Sequence, residues 1–128
     1  MPPRAGNEYN REAMLHFHVI IQSASVPWSV TFDQAFAELE LVPGLFIEPD
    51  GSFFLVSRPG EPVWQVEGNL YDQGPNLAHV EMKGSCPAER LDELLRPLGW
   101  PTVALAFQMV REGKQLSEAE FRQAQREF

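Results

Sequence analysis

Between residues 14 and 22 the chain alternates. Leu15, Phe17, Val19 and Ile21 fall on one side, and Met14, His16, His18, Ile20 and Gln22 on the other. A period of two is the pattern of a strand with one buried face. Pro27 helps to end it. Farther on, Thr31 and Gln34 have capping-box spacing, and Phe32, Ala35, Phe36 and Leu39 recur at helical intervals, which predicts a short amphipathic helix stopped by Pro43 and Gly44. Strands follow at 45–48 and 52–58 around the turn Pro49-Asp50-Gly51, in which Pro presets φ and Gly accepts a positive one. Two more strands, 63–71 and 77–83, flank the turn from Asp72 to Asn76. Together these hairpins predict a mainly antiparallel sheet.

Helical spacing returns with Leu91, Leu94, Leu95 and Leu98. Pro87 suits the first helical position, with Cys86 or Ser85 as the cap. Ser117 and Glu120 form a second capping box, and Leu116 and Phe121 have the spacing of a hydrophobic staple, so a C-terminal helix begins near 118. Residues 102–110 fit either element. Val103, Leu105, Phe107 and Met109 suit a strand, whereas Val103, Ala106, Phe107 and Val110 suit a helix. The expected fold class is α+β: about five strands, possibly six, in an antiparallel sheet with two or three helices packed mainly on one face. Residues 1–13 read as a flexible polar leader, and 14–128 as a single domain.

Strand alternation also predicts what the second face carries. Trp64, Val66 and Leu70 oppose Gln65, Glu67, Asn69 and Tyr71, while Ala78, Val80 and Met82 oppose Leu77, His79, Glu81 and Lys83. Three strands agree on one apolar and one polar face, as expected of an antiparallel sheet covered on one side. The polar set His16, His18, Gln65, Glu67, Tyr71, His79 and Glu81 is the candidate binding surface. Phe46, Phe53, Phe54, Trp64 and Phe107 read as core. Trp28 and Trp100, both in loops, read as core plugs or interface anchors.

Composition narrows the classes. In 128 residues, 44% are apolar and nine Phe, three Trp and two Tyr are present, enough for a packed core. Eighteen acidic against ten basic residues leave a net charge of -8, which works against nucleic acid and anionic lipid. From Asp33 to Glu93 there are twelve acidic and three basic residues, whereas 111–128 holds four of each. The acidity belongs to the body of the domain. The apolar stretch 14–21 is too short to span a membrane. The opening residues lack the apolar core of a signal peptide, so the cytoplasm is the expected location.

Two constellations could carry chemistry. His16 and His18 project from one strand face about 6–7 Å apart at Cα, and His79 or Glu81 could complete a metal site if the two strands were neighbours. The expectation is that they are apart, with both histidines solvated and no metal held. Cys86, the lone cysteine, has a helix N-terminus beside it, which favours a thiolate. It lacks a nucleophile signature or a CxxC partner, so a capping or partly buried structural role is expected, with capping leading and serine tolerated in its place. There is no phosphate-binding glycine loop, no HExxH and no EF-hand. The expected function is therefore a small, acidic, non-enzymatic binding module without cofactor, contacting a protein partner or a second copy of itself. The alternative is a metal- or cysteine-dependent enzyme using His16, His18, His79 and Glu81, or Cys86.

Overall fold

The computed structural model describes residues 14–126, with the side chain of Arg126 excepted; the leader expected at 1–13 lies outside the described residues. In chain order the elements are β1 (Met14–Ser23), α1 (Phe32–Leu39), β2 (Leu45–Ile47), β3 (Ser52–Val56), β4 (Gln65–Gln73), β5 (Asn76–Pro87), α2 (Ala88–Leu95), a 3-10 turn (Arg96–Leu98), β6 (Leu105–Met109), β7 (Lys114–Ser117) and α3 (Glu118–Arg126). Among the described residues, seven strands join one antiparallel sheet in the order β2-β3-β4-β5-β1-β6-β7. The class is α+β as the sequence predicts, with more strands than the five or six expected.

The surplus comes from the C-terminal third. Residues 105–109 form a strand, because Leu105, Phe107 and Met109 point together into the core. They pair with β1 on one side and with β7 on the other. β7 has four residues, of which only Leu116 is half-buried. It offers almost no hydrophobic alternation to read.

One side of the sheet is apolar throughout. Leu15, Phe17, Val19 and Ile21 of β1 join Val66 and Leu70 of β4, Val80 and Met82 of β5, and Phe53 and Leu55 of β3 in a single buried cluster. Burial of this kind is the main favourable term in folding. The cover is built from Ala35 and Leu39 of α1, Leu91, Leu94 and Leu95 of α2, Leu98 of the 3-10 turn and Phe121 of α3. Phe121 stacks on Phe107 with ring centres 4.7 Å apart and meets Phe17 edge-on at 6.0 Å. Trp28 is buried and its Nε1 donates to the Leu98 carbonyl at 3.0 Å. Trp100 is half-buried, its Nε1 donating to Glu118 at 2.8 Å while Arg96 and Arg122 lie over its ring. Both loop tryptophans thus plug the core side.

Local signals hold at the helix starts. Thr31 caps α1 with a reciprocal Gln34 bond, and Ser117 and Glu120 do the same for α3. The α2 boundary differs from expectation. β5 runs through Pro87, and Pro87 itself stands at the cap position with no side-chain hydrogen bond. Cys86 is therefore the last inward-pointing residue of a strand and has no capping role.

A second difference lies in the β4–β5 hairpin. Tyr71 pairs with His79 but Asp72 pairs with Leu77, so Ala78 is the extra residue of a bulge. The bulge reverses the alternation. Leu77 is buried, against its expected place beside His79.

Candidate functional site

All three helices cover the same face, so the opposite face of the sheet has no layer over it among the described residues. Strand register sets out its composition row by row. One row crosses five strands as Phe46, Phe54, Glu67, Lys83 and His18, each directly opposite the next. The row beside it runs Ser52, Asn69, Glu81, Ile20, Gln108 and Gln115. Tyr71 and His79 follow as a directly opposed pair.

Gly68, opposite Phe53 of β3, stands where no side chain would fit. It faces the core, where a Cβ would collide with Phe53 Cζ and stand 2.8 Å from the Glu81 carbonyl oxygen. Gly84, at φ +140°, lets β4 and β5 cross closely; a Cβ there would strike Gln65 O and lie 2.9 Å from Val66 Cα.

β1 and β5 are neighbours, which overturns the expectation that they stand apart. His18 sits opposite Lys83, and its Nε2 reaches diagonally to Glu81 Oε2 at 2.7 Å. Its side chain is 23% exposed, so it is not the solvated group expected. His79 stacks on Tyr71, ring centres 4.5 Å apart. His16 lies opposite Ser85 and its backbone N–H donates to Gln125 Oε1 at 2.9 Å. Six residues of β5 separate the levels of His79 and Ser85, about 20 Å along a strand. The three histidines thus share a face without converging. Among the described residues no group of three or more His, Cys, Asp or Glu side chains could hold a metal. Gln65 and Glu67 are exposed on the same face, as the alternation predicts.

Two residues expected in the core belong to this face. Phe46 and Phe54 stack with centres 5.1 Å apart at the β2–β3 edge, 57% and 42% exposed. The signal for them lay in the alternation itself. Phe46 stands between inward-facing Leu45 and Ile47, and Phe54 between Phe53 and Leu55. The groove along this pair, about 590 Å³, is lined also by Glu40, Glu48 and Glu67. Cys86 stands on the other side, fully buried, and burial pushes its thiol up to about 12 from an ordinary 9.0. A thiol so held is protonated at neutral pH and no nucleophile.

Charge on the helix side is paired. Arg90 bridges Glu61 and Glu93, and Arg122 bridges Asp92 and Glu118. No helix among the described residues is long and apolar enough to cross a membrane. Compared with known proteins, the chain matches no family model, no curated relative and no solved structure.

Proposed function

We propose that this protein is a non-enzymatic binding module whose uncovered sheet face contacts a protein partner or a second copy of itself. The observation that carries the reading is the Phe46–Phe54 stack, two large aromatic rings exposed side by side on a face with no layer over it among the described residues. Contiguous exposed apolar surface rimmed by polar groups marks interaction sites, and aromatic rings anchor them at low entropic cost. Here the rim is Glu40, Glu48 and Glu67. Tyr71, 40% exposed and stacked on His79, extends the aromatic character across β4 and β5.

An acidic body disfavours nucleic acid as the occupant. A cytoplasmic setting agrees with a single buried thiol and no disulfide. The enzyme reading has less to support it: the histidines are spread over the face and the cysteine is sealed in the core. The test is the Phe46→Ser/Phe54→Ser double variant, compared with wild type for self-association by light scattering and for recovery of a partner from the native extract. A correctly folded variant that loses the association supports the reading. One that keeps every association refutes it.

A further inference from the structure

Across the hairpin of β4 and β5 the outward residues face one another in three pairs: Glu67 with Lys83, Asn69 with Glu81, and Tyr71 with His79. The members of each pair differ in kind and suit each other. They are an acid and a base, an amide and a carboxylate, and two rings that already stack. The first pair sits at the middle of a longer row. On its β4 side come Phe54 and Phe46. On its β5 side come His18 and then Val110, whose N–H donates to the His18 carbonyl at 3.0 Å. Val110 follows inward-facing Met109 and is 38% exposed. The two ends of the row differ in charge. Glu40 and Glu48 border the groove at the Phe46 end, whereas Arg111 and Lys114, with one carboxylate, Glu112, border the cleft at the Val110 end.

Such a face is complementary to itself. A two-fold axis parallel to the strands and passing between β4 and β5 turns the face over onto a second copy and exchanges its halves. Glu67 of each copy then stands over Lys83 of the other. Asn69 meets Glu81, and Tyr71 meets His79, in the same way. Farther out, Phe54 comes over His18 and Phe46 over Val110, and the acidic border meets the basic one. Other two-fold placements lose this match. An axis along β5 sets Lys83 on Lys83, and an axis along the row itself sets Glu67 on Glu67. Like charges brought face to face oppose association.

We infer that this protein forms a symmetric dimer through the uncovered sheet face, with the two-fold axis between β4 and β5. The inference rests on the open-face reading and names its occupant, a second copy of the chain. A two-fold contact buries the same patch on both copies, and sheets packed face to face keep their strands within about 30° at a separation of about 10 Å. The six strands of the row span about 24 Å, and five residues of strand about 17 Å, so the patch projects about 400 Å² per copy. That is the small end of specific interfaces, where association is reversible. Repulsion between two chains of net charge -8 is screened beyond about 8 Å at physiological ionic strength, while the Glu67–Lys83 attraction acts at contact.

The test is analytical ultracentrifugation of the full chain from about 1 to about 500 µM, with circular dichroism to confirm that each variant is folded. A monomer–dimer equilibrium is expected for the wild type. Glu67→Lys and Lys83→Glu, each alone, should weaken it about tenfold or more. An equimolar mixture of the two variants should restore dimers, because opposite charges then meet at both contacts across the axis. Each chain of the mixture still carries like charges opposed within its own hairpin, so the recovery cannot arise inside one chain. A dimer indifferent to both charge reversals, or a folded mixture that stays monomeric, overturns the inference. If Phe46→Ser/Phe54→Ser abolishes a dimer that ignores the charge reversals, the face stands and the proposed axis is wrong. A wild type that is monomeric throughout also overturns the inference, and leaves the open face to a different protein.

Discussion

Replacing Phe121 by alanine removes the ring on which α3 is held to the sheet. That ring has no exposed area, stacks flat on Phe107 at 4.7 Å and 9°, and meets Phe17 edge-on. Losing the buried apolar surface costs about 2 kcal/mol. Each aromatic contact adds about 0.5–1.5 kcal/mol. The void between two large rings can collapse only partly, so a total of about 3–5 kcal/mol is expected. For a domain of this size that lowers the melting temperature by about 10–15 °C. Urea unfolding followed by circular dichroism measures it, with Phe54→Ala as the control. Phe54 is aromatic too, but lies half-exposed on the other face, and its loss should cost under about 1 kcal/mol. If Phe121→Ala loses less than about 1.5 kcal/mol, or the two variants lose equal amounts, the assignment of a covered and an uncovered face is wrong.

Gly68→Ala should cost about 1–3 kcal/mol in the same assay, since the added Cβ collides with Phe53; a neutral result would mean that β3 and β4 are not in this register. Arg90→Ala should cost about 3 kcal/mol, because it strands Glu93, whose buried Oε1 already has no hydrogen-bond partner among the described residues; Arg90→Met with Glu93→Gln should recover much of that loss. Cys86→Ser should destabilise by about 1–3 kcal/mol, against the tolerance expected of a cap, and the wild-type thiol should resist alkylation in the native state. Because its folded pKa is raised to about 12 from 9.0, unfolded chains lose the proton first. Stability is therefore whole below pH 9 and falls as pH rises toward 12, a slope that Cys86→Ala should flatten.

Where a segment owed its structure to its own residues, the sequence was readable. The β1 alternation and the Thr31 and Ser117 capping boxes each involve neighbours within a few positions, and all three are found. Features set by distant partners were not readable. β7 is a strand only because β6 pairs with it. Leu116, read as the N′ residue of a helix, is at once the inward residue of that strand. Cys86 was misplaced because Pro87 looks like a helix start, whereas β5 continues through it to pair with Met14 of β1. Leu77 turns into the core through a bulge that no local signal announces. At the candidate site, alternation correctly grouped His18, Glu67, Tyr71, His79 and Glu81. The His18–Glu81 bond spans 63 positions and depends on strand order, which periodicity does not contain. Phe46 and Phe54 were legible in principle.

Site-specific photo-crosslinking tests the central claim, that the uncovered sheet face is the contact surface. A photoreactive phenylalanine analogue is placed at Phe54 or Tyr71 on that face, and at Glu89 on α2 as the reference, each in the full chain under native conditions. Discrete covalent adducts, either with one partner species or with a second copy of the chain, should form from Phe54 and Tyr71 and be absent from Glu89. Adducts from Glu89 alone, or equally from all three positions, would contradict the account and move the contact surface to the helical side.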